Sequence, residues 1–180
     1  MREPQTKAIH LKDYAPPAFR VETVELDVDI REGDALVRAN LEVRRNSGGP
    51  LVLDGDELEL VSVSVNGAPA RHDVTPETLT VHDVPDAFTL ETVTRIVPQQ
   101  NTKLEGLYAT KNGFVTQCEA QGFRRITWFT DRPDVMARYT TTVRADRAKY
   151  PVLLSNGNLV ASGVEGDRHW ARFVDPFPKP

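Results

Sequence analysis

The stretch VETVELDVDIREGDALVRANLEVRR, residues 21–45, decides the fold class. In its first part Val24, Leu26, Val28 and Ile30 alternate with Glu25, Asp27 and Asp29. In its second part Ala35, Val37, Ala39, Leu41 and Val43 alternate with a mostly polar set. Successive side chains of an extended chain point to opposite faces, so this period of two describes a strand with one face buried. REGD, residues 31–34, breaks the pattern with turn-forming residues, and the spacing predicts two strands joined as a hairpin.

The same habit extends outward. NSGGP (46–50) reads as a loop, and LVLDGDELELVSVSVNG (51–67) as a short strand, a turn at Asp54–Gly55 and a second strand with Val61, Val63 and Val65 inward. Asn66–Gly67 predicts a tight hairpin, because both residues tolerate the positive φ of a type I′ turn. TLTVHDV (78–84) and AFTLETVTRIV (87–97) follow as strands separated by Pro85, and PQQNTK (98–103) as a polar loop. GFVTQCEA (113–120) and RRITWFT (124–130) read as strands joined through Gly122, with DRPDVM (131–136) as a turn. ARYTTTVRAD (137–146) alternates again, YPVLLSNGNLVASG (150–163) predicts a second Asn-Gly hairpin at Asn156–Gly157, and RHWARFVDP (168–176) is the last strand.

No window carries a sustained apolar stripe of period 3.6, and the prolines and glycines fall at the intervals expected of sandwiches and barrels. These features predict one all-β domain over residues 1–180, a mostly antiparallel, multi-stranded sandwich. Residues 1–13 are expected to be loosely ordered.

Bulk properties narrow the function. Basic residues number 22 against 26 acidic ones, so no electrostatic footprint for nucleic acid is present. No stretch approaches the ~18 apolar residues that span a bilayer. A single cysteine rules out an internal disulfide framework, and the N-terminal stretch has no apolar segment of the secretory kind. The location expected on these grounds is cytoplasmic.

Chemistry is scarce. His10, His72, His82 and His169 are widely separated, without a second His or Cys at metal-ligand spacing; His72 and His82 could meet across a hairpin but read as surface residues. There is no H-E-x-x-H, no phosphate-binding loop and no G-x-S-x-G. Cys118 has no adjacent His, and an isolated Cys more often packs than reacts. Glu119, beside it in a segment with strand character, is either a solvated carboxylate pairing with Arg124 or Arg125, or one awaiting a cation from elsewhere. Read from residues alone, this is a β-domain without a complete active site.

Residues 104–158 carry four elements in order: Gly106-Leu107-Tyr108, Gln117-Cys118-Glu119, Phe129-Thr130-Asp131-Arg132-Pro133 and Leu154-Ser155-Asn156-Gly157. Together they resemble the N-terminal domain of the aminopeptidase N family of zinc aminopeptidases, in its bacterial cytosolic form. With YAPPAFRVETVELDVDI (14–30) and the closing DPFPKP (175–180), the resemblance covers about Tyr14 to Pro180. Gln121 departs from a Glu often found there in bacterial relatives, and no role is attached to it.

The resemblance implies a saddle-like β-domain that packs on a thermolysin-like catalytic domain. That domain holds one Zn²⁺ through H-E-x-x-H and a further Glu, and carries a G-A-M-E-N loop. None of these motifs occurs here, so the chain is expected to be a fragment that binds no zinc and hydrolyses nothing alone, with residues 175–180 opening the connection onward. The resemblance also implies that Glu119 holds the substrate's α-ammonium and that Gln117 lines the pocket for the first side chain. A carboxylate near an ammonium gains ~1 kcal/mol in water-like surroundings and ~4 kcal/mol at an effective dielectric near 20. Anchoring the amine also fixes which carbonyl meets the metal. The implied partners are the catalytic domain and a peptide N-terminus. Cys118, between the two site residues, should point to the opposite face and pack, and Arg124, Asp131 and Arg132 should form an ion-paired turn. Two competing readings are a free-standing β-sandwich binding or scaffold module and an unrelated enzyme using Cys118.

Overall fold

A computed structural model describes residues 10–180. The opening hairpin forms as its periodicity requires. β1 (Phe19–Ile30) and β2 (Ala35–Arg45) pair antiparallel, with Ile30 opposite Ala35 across the REGD turn. Val24, Leu26, Val28 and Ile30 of β1 and Ala35, Val37, Ala39, Leu41 and Val43 of β2 are all buried.

The remaining strands are β3 (Leu51–Asp54), β4 (Glu59–Val65), β5 (Ala68–Pro69), β6 (His72–Val74), β7 (Thr78–Val81), β8 (Ala87–Ile96), β9 (Gly106–Thr110), β10 (Gly113–Gln117), β11 (Ala137–Asp146), β12 (Asn158–Glu165) and β13 (Arg168–Lys179). Eight of the thirteen form one sheet in the order β12-β13-β11-β1-β2-β8-β4-β5. Its pairings are antiparallel except for β1 with β11. A three-stranded sheet, β3-β7-β6, sends Leu51, Leu53, Leu79 and Val81 into the same core. Burying each such side chain stabilises the fold by about 1.5–3 kcal/mol. β9 and β10 make a separate hairpin. The all-β, mostly antiparallel expectation is met.

The Asn66–Gly67 turn has φ of 51° and 79° and joins β4 to β5, as the dipeptide predicts. Three local expectations are corrected. Val61 is 55% exposed, because a register shift between Leu60 and Ser62 slips the alternation of β4; Val63 remains buried and Val65 half-buried. RRITWFT is not a strand. Phe123–Arg125 form a short 3₁₀ turn, and Ile126, Thr127, Trp128 and Phe129 are all buried in succession. An extended strand with one buried face would have turned two of those four outward. Only Phe129 keeps a strand-like bridge, to Asp54.

Asn156–Gly157 is not a strand hairpin either. Residues 151–155 lie outside any strand, and β12 pairs with β13 instead. Gly157 has a φ of +89°, and a Cβ there would fall 2.3 Å from the Val174 carbonyl oxygen, so this glycine serves a close backbone approach. β13 continues through Lys179, so most of 175–180 is strand. Leu11–Asp13 form one 3₁₀ turn; residues 1–9 of the 1–13 expectation lie outside the described residues.

Candidate functional site

The β9–β10 hairpin ends with Gln117 opposite Gly106. Past Gln117 the chain leaves the strand and folds into a turn over residues 118–122, closed where the Gly122 N–H donates to the Cys118 carbonyl at 2.8 Å. The 3₁₀ turn Phe123–Arg125 follows directly. Gln117 and Glu119 are therefore brought together, both exposed, with the Gln117 side-chain amide donating to the Glu119 carbonyl at 3.4 Å. The expectation that strand continues through Glu119 and Ala120 is corrected: the turn, not strand alternation, sets the two side chains. The Glu119–Ala120 peptide is cis.

The turn stands on a charged base. The Arg125 guanidinium meets Asp56, Glu57 at 2.9 Å and Glu105 at 3.3 Å. Arg124 Nε donates to Asp131 Oδ2 at 3.1 Å, as does the Arg124 backbone N–H at 3.1 Å. Asp131 is buried, and its own N–H donates to Asp54 Oδ2 at 3.0 Å. Arg132 pairs with Asp134 at 2.6 Å. The expected ion-paired turn at Arg124, Asp131 and Arg132 is present.

Both arginines proposed as surface partners for Glu119 are thus committed elsewhere. Among the described residues no cation lies within 4.0 Å of the Glu119 carboxylate. Cys118, by contrast, packs against the core. Burial, and secondarily the charge of Asp131, pushes its thiol up to about 11. A thiol so raised is a poor nucleophile at neutral pH. Nearby Tyr139 is raised too, chiefly by burial.

The histidines bring nothing further. His82 Nε2 lies 2.7 Å from Asp73 Oδ2, while His72 Nδ1 lies 2.8 Å from the Ala70 carbonyl, and His72 sits opposite Val81 in the strand register. Among the described residues no group of three or more His, Cys, Asp or Glu side chains could hold a metal ion. An open cleft of about 310 Å³ between Arg95, Pro98, Leu107 and Arg125 is rimmed by Asp56, Glu57 and Glu59, and neither Gln117 nor Glu119 lines it. No helix among the described residues is long and apolar enough to cross a membrane.

The sequence reading named Gly122 as a joint and Gly106 as part of a motif, but not the close approaches that both serve. A Cβ on Gly122 would lie 2.4 Å from the Gln117 carbonyl oxygen, and one on Gly106 would lie 2.5 Å from Arg125 Cβ. Gly106 also has a φ of +68°. A glycine inside a strand pattern beside a candidate site is the signal that marks such close approaches.

Comparison with known proteins places this geometry in context. Residues 20–180 match the family described as the peptidase M1 N-terminal domain. Aminopeptidase N of Caulobacter vibrioides is 48% identical over 186 residues, covering 100% of this chain and 21% of that protein. The chain thus spans about a fifth of the length of the curated relatives it matches. Aminopeptidase A of Legionella pneumophila, crystallised with aspartic acid, superimposes with a TM-score of 0.89 at 33% identity, over 94% of this chain and 21% of that one. The M1 zinc metallopeptidase of Deinococcus radiodurans has the same fold, with a TM-score of 0.77 at 18% identity, over 92% of this chain and 41% of that one.

Proposed function

This chain belongs to the peptidase M1 N-terminal domain family, and on that premise we propose that it is the N-terminal domain of a cytoplasmic zinc aminopeptidase, in which Glu119 anchors the α-ammonium of a peptide substrate. Gln117 lines the pocket for the first side chain. The observation that carries this reading is that, among the described residues, no cation meets the Glu119 carboxylate. That carboxylate is exposed on a turn bolted to the domain, while the neighbouring arginines are already paired. An exposed carboxylate that no described cation meets suits a ligand that brings its own positive charge. Holding the amine at one point counts off a single residue, which is the task of an exopeptidase.

The zinc of such an enzyme belongs to its catalytic domain. The described residues offer no ligand set for it. The domain acts by docking. β12 is an edge strand, and Leu159, Val160 and Val164 on it are exposed, as are Val152, Leu154 and Phe177. Monomeric proteins seldom leave so many apolar side chains uncovered together. Leu159 and Val164 sit opposite Phe173 and His169 of β13, on the face that Phe173 and Ala171 bury. The core face of the large sheet therefore runs past its cover at this edge, as it would where a catalytic domain supplies the cover.

Glu119→Ala in the complete aminopeptidase tests the anchor. KM for aminoacyl substrates should rise by about tenfold or more, within the range a single ammonium–carboxylate pair supplies, with zinc content unchanged. An unchanged KM would remove Glu119 from the site.

A further inference from the structure

We infer that Gly122 is a positioning residue for the Glu119 anchor: its missing side chain lets the turn close on itself and on β9, and that contact sets where the carboxylate stands. The inference rests on the role proposed for Glu119.

Three contacts converge on the absent Cβ. It would fall 2.4 Å from the Gln117 carbonyl oxygen, 3.0 Å from Cys118 Cα and 3.0 Å from the Gly106 nitrogen. All three atoms are backbone, so no side chain can swing away to make room. Gly122 itself has φ −83° and ψ −13°, an ordinary right-handed conformation open to any residue. Close approach, not backbone freedom, is what demands glycine here.

The surroundings cannot yield easily. Gly106, opposite Gln117, is held from beneath by Arg125, whose Cβ lies 2.5 Å from where a Gly106 Cβ would be. Arg125 is in turn gripped by Asp56, Glu57 and Glu105, and its N–H donates to the Gly122 carbonyl at 3.1 Å. With its lower side fixed, an added methyl at residue 122 can be relieved only by lifting residues 117–121, the segment that carries both site residues. Non-bonded carbons settle at about 3.5–4.0 Å, so the lift amounts to about 1 Å. A misplacement of that size can cost up to about a hundredfold in a positioned reaction.

The test is a double-mutant cycle in the complete aminopeptidase, with L-alanyl p-nitroanilide as substrate. Gly122→Ala should raise KM about tenfold while kcat changes less than twofold and zinc content stays constant. In the Glu119→Ala background the same substitution should move KM less than twofold, because the anchor it misplaces is gone. An equal rise in both backgrounds would overturn the inference, since it would show general damage. So would an unchanged KM for Gly122→Ala where Glu119→Ala alone raises it. If Glu119→Ala itself leaves KM unchanged, the anchor reading fails and the inference falls with it. Should Gly122→Ala not fold, Glu105→Gln loosens the same base with less disturbance. A KM rise of about two- to threefold that vanishes without Glu119 supports the inference, and an additive effect or no effect overturns it.

Discussion

Arg125 and Asp56, 69 residues apart in sequence, meet in an ion pair beneath the turn that bears Glu119. The Arg125 side chain is only 9% exposed and reaches Glu57 and Glu105 as well. This one residue links the β3–β4 connection, the start of β9 and the turn after β10.

Arg125→Met should destabilise the domain by about 2 kcal/mol. That is below the ~3–5 kcal/mol of a wholly buried pair, because the three carboxylates are largely in contact with water and survive alone at lower cost. Urea denaturation followed by fluorescence of the two tryptophans measures it. A change below 0.5 kcal/mol would show that the cluster is solvated ornament.

Cys118 should resist alkylation in the folded protein. With its thiol raised from 9.0 to about 11, the thiolate fraction below pH 9 falls by about a hundredfold, and reactivity follows the thiolate. Mass spectrometry after iodoacetamide treatment at pH 8, with and without denaturant, gives the ratio. The same shift makes stability pH-dependent. In the unfolded chain the thiol ionises first, so its contribution is intact below pH 9 and is lost between about pH 9 and 11. Rapid labelling of the native protein would contradict the packing role.

The slip in β4 separates two valines that the sequence treats alike. Val61→Thr should change stability by less than about 0.5 kcal/mol, as exposed substitutions do. Val63→Thr places a hydroxyl in the core and should cost about 1–3 kcal/mol. Equal effects in thermal melts would mean that the alternation continues through Leu60.

The apolar edge at β12 should make the isolated chain self-associate. Sedimentation velocity should show association at micromolar concentrations, reduced by Leu159→Ser combined with Phe177→Ser, both of which replace exposed side chains. In the complete aminopeptidase the same pair should loosen the domain and raise its susceptibility to proteolysis. A monodisperse wild-type chain would favour a free-standing module over a docking domain.

The sequence by itself determined the all-β class, because a period of two with one buried face admits no other element, and β1 and β2 bury the predicted residues. It also placed the Asn66–Gly67 turn, whose conformation is a local property of two residues. Through resemblance it singled out Gln117 and Glu119. Tertiary structure alone decided the rest. Asn156–Gly157 is the same dipeptide without a hairpin, because a turn forms a hairpin only where the flanking strands pair, and β12 finds β13. RRITWFT has strand composition, yet four of its residues, Ile126 to Phe129, are buried in succession at a core that several elements share. The isolation of Glu119 follows from where Arg124 and Arg125 spend their charges, on Asp131 and on Asp56, Glu57 and Glu105. Such contacts between residues distant in sequence leave no local periodicity to read, because they are set by how the sheets and turns come together.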